Sequence, residues 1–224
     1  MRFDKMFDYI ITDNHIQILH YKGNSKKVKI PKKYKGYTID KIGKDAFAGN
    51  KNINTISMEG IKQIGDFAFY DCTNLRKVKL PNISSLSRYL FANCSSLTKI
   101  TIPSSVQTIE KAVFSGCVNL KKVIIPSNVN TICENAFINC INLKSIKLQN
   151  GIETIQQGAF SKNENLQKIY IPSSVSKIEH EVFAYSNNIK IYCENNKKPV
   201  SWDKDWNNTG TPNKYYQAIF GYKL

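Results

Sequence analysis

The chain has 224 residues, of which 42% are hydrophobic and 11% aromatic, and its 32 Lys and Arg outnumber 17 Asp and Glu to give a net charge of +15. This hydrophobic content excludes a wholly disordered chain, and no apolar run reaches the roughly 18 residues of a membrane-spanning helix. Six cysteines are too few for a small disulfide-rich secreted domain. The basic excess suggests an acidic or anionic partner, although only Arg2, Arg76 and Arg88 are arginine.

The N-terminal sequence MRFDKMFDYIITD mixes charged residues into its apolar ones. A secretory signal peptide needs an uninterrupted apolar stretch, which these residues lack. We therefore expect no cleaved leader here, and a cytoplasmic location stays open.

A motif of 22 or 23 residues recurs along most of the chain. Aligning its copies gives the template A-F-x-x-C-x-N-L-x-x-I-x-I-P-S-S-V-x-x-I across the middle units. Self-similarity at such a period is the mark of a solenoid, in which each unit buries its apolar edge only against its neighbours. One phenylalanine anchors each copy, and we expect these side chains to form a structural ladder: Phe47, Phe69, Phe91, Phe114, Phe137, Phe160 and Phe183.

Each unit predicts a short strand, a stop and a second extended stretch. The run L-x-x-I-x-I, as in Leu120, Val123 and Ile125, alternates apolar and polar residues and so predicts a strand with one buried face. A proline follows the run in most units and ends the strand, because proline has no N–H to donate. An apolar pair such as Val129 and Ile132 predicts a second, shorter strand. The A-F-x-x-C segment predicts a tight turn or a single helical turn that directs phenylalanine into the core.

The sequence IPSSVQTIEKAVFSGCVNLKKVIIPSNV, residues 102–129, resembles the consensus of the bacterial surface-antigen leucine-rich repeat found in BspA-like proteins. The resemblance covers residues 41–193. It implies a mainly β leucine-rich-repeat solenoid of about seven 22–23-residue coils, with parallel sheets, short turns or helical turns, and caps at both ends. The ends resemble the terminal units of the family. They imply an N-terminal capping hairpin with an expanded first unit at residues 1–40 and a C-terminal cap at residues 194–224.

The resemblance implies a binding module, acting in protein–protein interaction or adhesion, on a cell surface or secreted. It brings no catalytic residues, no cofactor and no metal. The residues themselves agree, since His15, His20 and His180 match no metal-ligand spacing and no phosphate-binding loop or nucleophile elbow occurs. We therefore expect a monomeric protein that is not an enzyme.

Four cysteines recur three residues after the anchoring phenylalanine. In other copies Asn50, Asn163 and Ser186 fill the same position. Cysteine, asparagine and serine are all small and can hydrogen-bond to buried turn backbone, so we interpret this position as a structural ladder rather than a metal or disulfide site. The cysteines are Cys72, Cys94, Cys117 and Cys140.

Basic residues occupy the outward positions of the predicted strands. Stacked coils would align them into a stripe on the strand side of the solenoid, and we expect this stripe to bind another protein with an acidic surface. The candidate residues are Arg76, Lys77, Lys79, Lys99, Lys121, Lys122, Lys144, Lys147 and Lys168, together with Tyr170.

Two alternatives to protein binding stay open for this stripe. It could bind an anionic polymer, namely nucleic acid, teichoic acid or an anionic membrane surface. The shortage of arginine, which makes the bidentate contacts to phosphate and bases, disfavours nucleic acid. The lysines could also be an ordinary solvated surface that reflects only a lysine-rich composition.

Overall fold

The structure, a computed structural model, describes residues 3–187 and 189–223. The described chain is mainly β, with one short helix, α1 (Phe3–Met6). No helix within these ranges is long and apolar enough to cross a membrane. The strands are β1 (Phe7–Thr12), β2 (His15–Tyr21), β3 (Lys27–Lys29), β4 (Lys33–Tyr34), β5 (Tyr37–Ile42), β6 (Thr55–Ser57), β7 (Gln63–Ile64), β8 (Lys77–Lys79), β9 (Ser85–Leu86), β10 (Thr108–Ile109), β11 (Lys122–Ile124), β12 (Thr131–Ile132), β13 (Ser145–Lys147), β14 (Thr154–Ile155), β15 (Lys168–Ile171), β16 (Lys177–Ile178), β17 (Lys190–Cys193) and β18 (Ala218–Phe220).

Parallel strands stack into a solenoid, which confirms the fold class predicted from the repeat; the solenoid has about nine turns, compared with the roughly seven coils expected from the repeats. The first ladder contains the strands predicted from the L-x-x-I-x-I run, and we call its solvent side the strand face. Its members are β3, β6, β8, β11, β13, β15, β17 and β18. The second ladder comes from the apolar pair of each unit. Its members are β5, β7, β9, β10, β12, β14 and β16. The register places equivalent residues side by side, so that Val123 lies opposite Ile146 and Ile109 lies opposite Ile132.

Backbone pairing between coils lapses at several places. The first ladder is divided into three sheets, β3-β6-β8, β11-β13 and β15-β17-β18. Residues 98–102 form no strand, and there Lys99 makes only an isolated bridge to Lys122. In the second ladder β7 pairs with β5, while β9 begins a separate sheet that continues through β10, β12, β14 and β16. The solenoid is therefore continuous in its core but not in its strand pairing.

The core is a column of aromatic rings. The seven repeat phenylalanines are each at most 1% exposed, and the ring centroids of successive coils lie 4.9–5.8 Å apart. The segments that carry them are turns rather than helices. Burying one such side chain contributes roughly 1.5–3 kcal/mol, so the column is a main source of stability along the molecule.

Aromatic side chains cover both ends of this column. At the N-terminal end, β1 and β2 form an antiparallel hairpin, and the rings of Phe7 and Tyr21 lie 6.2 and 5.2 Å from the ring of Phe47. At the C-terminal end, the ring of Trp206 lies 6.2 Å from that of Phe183. These contacts keep the first and last rings of the column out of water.

Candidate partner-binding surface

The strand face presents the basic residues singled out in the sequence. Strand alternation sets their direction: in β8, Val78 is buried while Lys77 and Lys79 are exposed on either side of it. Tyr170, in β15, is half-buried. All nine candidate cations are exposed to solvent: Arg76, Lys77, Lys79, Lys99, Lys121, Lys122, Lys144, Lys147 and Lys168.

The lapses in strand pairing divide these cations into three groups. Lys77 and Lys79 belong to the first sheet, and Lys147 lies in the second. Lys168 belongs to the third sheet. Lys99, on residues 98–102, lies beside the second group through its bridge to Lys122. The strand face is therefore a set of basic clusters rather than one unbroken row of lysines.

Most of these cations form no ion pair within the described part of the molecule. Lys79 Nζ lies 2.8 Å from Glu59 Oε1, and its hydrogen bond holds the pKa of Glu59 below the usual range. Among the described residues, the other eight candidate cations form no ion pair. An acidic partner would therefore not have to displace an internal carboxylate from them.

The structure adds three lysines that the sequence reasoning missed. Lys27 and Lys29 are the exposed ends of β3, which stands at one edge of the first sheet. Lys190 pairs with Lys168 across β15 and β17. Lys190 follows Lys168 by 22 residues, so the repeat spacing alone could have revealed it.

Three tyrosines meet at the C-terminal end of the strand face, and we call Tyr170, Tyr192 and Tyr222 the tyrosine cluster. The ring centroids of Tyr170 and Tyr192 are 5.0 Å apart, and that of Tyr222 lies 5.3 and 5.0 Å from these two rings. Lys168 Nζ lies 5.7 Å from the Tyr170 ring, within cation–π distance. The neighbouring Tyr170 hydroxyl, with a smaller effect of burial, raises the pKa of Tyr222. The repeat spacing could have identified Tyr192, whereas Tyr222 lies outside the repeat.

A groove of about 760 Å³ opens on the strand face beside residues 98–102. Lys99, Lys121 and Lys122 stand at its rim, and Ile124 exposes 46% of its surface there. An apolar side chain surrounded by cations is the kind of surface that can receive the apolar and acidic side chains of another protein.

The cysteine position has a different role, which is internal. The Cys117 thiol donates a hydrogen bond to the Phe91 carbonyl at 3.1 Å, and Asn163 Nδ2 donates to the Phe137 carbonyl at 3.0 Å. Cys72, Cys94 and Cys140 make the same thiol contact to the phenylalanine of the preceding coil.

Burial makes these thiols poor nucleophiles. It raises the pKa of Cys72 and Cys140 to about 12, and that of Cys94 and Cys117 well above the ordinary value. Within the described residues all six cysteines are free, and no group of His, Cys, Asp and Glu could hold a metal ion.

Comparison with solved structures finds leucine-rich repeat proteins of bacteria. A leucine rich cell surface protein from Faecalibacterium prausnitzii is 28% identical, with a TM-score of 0.79 over 91% of this chain and 56% of that one. The chain thus spans about half the length of that protein. The leucine-rich repeat protein of T. pallidum is 25% identical, with a TM-score of 0.71 over 96% and 98% of the two chains. A leucine-rich repeat protein from Eubacterium ventriosum is 26% identical, with a TM-score of 0.55 over 75% and 52%.

Comparison with curated protein sequences gives no match. The profile of the BspA type leucine rich repeat region, in contrast, matches six copies over residues 17–140 and 84–200. These two ranges together cover most of the sequence, and the solenoid has the fold that the profile describes. The chain therefore belongs to the BspA-type leucine-rich repeat family.

Proposed function

We propose that this protein binds another protein through its strand face. A leucine-rich repeat fold is typical of interaction and surface modules. The observation that carries the proposal is the combination of exposed, unpaired lysines with the tyrosine cluster on one face of the solenoid. Tyrosine supplies large contact area at low entropic cost, and it is enriched among the residues that dominate binding energy.

The charge defines the kind of partner. The lysines bring positive charge to a face that holds few carboxylates, so the partner presents an acidic surface and charge attraction speeds the encounter. The F. prausnitzii protein is described as a cell surface protein, and we propose that this chain likewise acts in adhesion at a cell surface or after secretion, as a monomer. The units at residues 1–40 and 194–224 would serve as its caps.

The test compares two matched triple variants of the full chain. The strand-face variant reverses the charge of three exposed lysines of the strand face: Lys121→Glu, Lys122→Glu and Lys144→Glu. The second-ladder variant reverses the charge of three exposed lysines near the second ladder: Lys41→Glu, Lys44→Glu and Lys62→Glu. Each protein is immobilised, incubated with a surface-protein extract, and its retained proteins are identified by mass spectrometry.

We expect a set of acidic proteins that the wild type and the second-ladder variant retain and the strand-face variant loses. A further variant, Tyr192→Ser, should weaken the same interaction at least tenfold in a direct binding measurement. Equal retention by both triple variants would contradict the proposal.

The second candidate function is binding of an anionic polymer by the same lysines. Heparin and DNA columns run at 50 and 300 mM salt test it directly, because polymer binding weakens steeply as salt rises. Retention at the lower salt that the strand-face variant loses would favour this function, and flow-through at both salts would exclude it.

A further inference from the structure

The second ladder opens between β7 and β9, in the coils that carry Phe69 and Phe91. At neighbouring junctions the backbone bonds coil to coil: Gly65 N–H donates to the Ile42 carbonyl at 2.8 Å, and Glu110 N–H donates to the Leu86 carbonyl at 3.1 Å. At the equivalent position between β7 and β9, the Ser87 hydroxyl donates to the Ile64 carbonyl. A side chain thus stands between two coils that elsewhere touch directly, and a crevice of about 420 Å³ results.

Within the described part of the chain, three lysines and several hydroxyl groups line this crevice, and no carboxylate does. The lysines, Lys41, Lys44 and Lys62, are exposed and form no ion pair among the described residues. Ser84 and Ser85 add hydroxyl groups on the side of β9.

Two carboxylates, Asp40 and Asp66, flank lining residues of the crevice in the sequence. Asp40 Oδ2 lies 2.8 Å from His15 Nδ1, and Asp66 Oδ1 accepts a hydrogen bond from the backbone N–H of Arg88 at 3.1 Å. Among the described residues neither carboxylate forms an ion pair with the three lysines. Lys44 Nζ lies 5.8 Å from the centroid of the Phe67 ring, so the proposed site depends chiefly on Lys41 and Lys62.

The repeat position that follows each second-ladder strand differs between the coils around the crevice and the later coils. The position after each second-ladder strand is Gly43, Gly65 and Ser87 around the crevice, whereas later coils carry larger or acidic residues there. Those residues are Glu110, Cys133, Gln156 and Glu179.

Steric contact between neighbouring coils explains why glycine occupies position 65. A Cβ on Gly65 would lie 2.5 Å from the backbone nitrogen of Lys44 and 2.7 Å from the carbonyl carbon of Gly43. The two coils therefore approach each other here through their backbones. At Gly65 the packing of these coils therefore leaves no room for a side chain.

We propose that this crevice binds a tetrahedral oxyanion, the phosphate or sulfate group of a small esterified molecule. Lysine ammonium groups and neighbouring hydroxyls suit an anion that is recognised by charge and by several single hydrogen bonds rather than by a planar fork. The volume exceeds that of the anion alone and lies in the range of small-molecule pockets, which leaves room for the group that carries the ester. This site is separate from the strand face and does not depend on the function proposed for it.

The experiment measures the melting temperature of the full chain against inorganic phosphate, inorganic sulfate and chloride at matched ionic strength, followed by calorimetric titration. Glucose 6-phosphate and glucose 6-sulfate form two further arms that distinguish the two kinds of ester. We expect a saturable rise in melting temperature with at least one oxyanion beyond that with chloride, because a ligand that binds only the native state stabilises it. The esterified sugar with the same group should bind more tightly than the free ion.

The variant Lys41→Gln with Lys62→Gln should lose affinity at least tenfold, whereas the matched strand-face variant Lys121→Gln with Lys122→Gln should bind as the wild type does. Ser84→Glu keeps all three lysines and brings a carboxylate into the crevice, so it should also abolish binding. Circular dichroism without ligand checks that each variant is folded. A response no larger than that to chloride, or an equal loss in the strand-face control, would overturn the proposal.

Discussion

At the scale of single residues, the repeat position three residues after each anchoring phenylalanine holds cysteine, asparagine or serine. From the coil of Phe69 onward each of these small side chains donates to a carbonyl of the preceding coil, whereas Asn50 Oδ1, in the coil of Phe47, accepts from the N–H groups of Asn52 and Ile53 at 2.9 and 3.0 Å. Cys117 donates to Phe91, Asn163 to Phe137, and Ser186 to Phe160 at 3.3 Å. The position selects a small side chain that can hydrogen-bond to backbone groups rather than sulfur chemistry.

A pH-dependent stability follows from the buried thiols. Burial raises the pKa of Cys140 from its ordinary value of 9.0 to about 12, so the thiol ionises in the unfolded chain before it does in the native one. The stability that neutral Cys140 contributes is complete below pH 9 and is lost progressively as the pH rises from there toward 12.

We therefore predict that the difference in free energy of unfolding between wild type and Cys140→Ser changes in favour of the serine variant by about 1.4 kcal/mol between pH 8 and 10. Urea denaturation at the two pH values measures it, and the comparison cancels the titration of the other groups. A difference that stays constant with pH would show that the thiol is accessible to water.

At the scale of elements, the turn between β13 and β14 departs from its counterparts. Two other coils place serine at this position of the turn, where Ser105 and Ser174 donate from their hydroxyls to carbonyls of the preceding coil at 2.8 Å. Gly151 stands in the same position with φ of +123°, and a Cβ there would lie 1.9 Å from the Ser127 carbonyl oxygen. The consensus residue of the repeat would therefore not fit this coil.

Replacing Gly151 by alanine should destabilise the protein by about 3 kcal/mol or more, since the strained backbone and the overlap with Ser127 both oppose folding. Gly49→Ala is the matched control, because Gly49 also has positive φ, +71°, but a Cβ added there would meet open space, with none of the described residues beyond its chain neighbours within 4 Å. That variant should lose only about 1–2 kcal/mol. Equal losses, measured by chemical denaturation, would show that backbone conformation alone decides the cost.

At the scale of the whole molecule, the net charge of +15 acts against the compact state. The described residues contain few ion pairs, and most of these involve solvent-exposed side chains, as between Lys51 and Asp71 or Lys111 and Glu134, so they offset little of the repulsion. The aromatic column and the coil-to-coil hydrogen bonds oppose this repulsion, and charge screening affects them little because neither is an interaction between charges.

The melting temperature should accordingly rise as salt screens the lysines from one another. Between 20 and 200 mM NaCl we expect an increase of about 2–4 °C, equivalent to about 1 kcal/mol in a chain of this size. The strand-face variant with three lysines reversed to glutamate should show a smaller increase. A melting temperature that falls with salt would mean that ion pairs, rather than repulsion, dominate the electrostatics.

The fold could be predicted because one apolar pattern recurs at a nearly constant period. Each copy specifies the same strands and the same turn. The strand face could be predicted only in part. Alternation around Val78 and Val123 shows which lysines face outward, but it does not show where strand pairing lapses. Tyr222 joins Tyr170 through the path of the chain after β18, which no local pattern encodes. The crevice depends on the spacing of two coils, and that spacing is a property of their packing.

The direction of the bonds between coils has a mechanical consequence. Bonds such as that from Phe114 N–H to the Ala136 carbonyl, 2.8 Å long, run from coil to coil along the solenoid. A tensile force on the two ends would pull in line with them and separate turns one after another, instead of shearing many bonds together. We expect the first separation where the Ser87 hydroxyl replaces a backbone contact to Ile64, which would part the molecule into two stacks, each with its own share of the phenylalanine column.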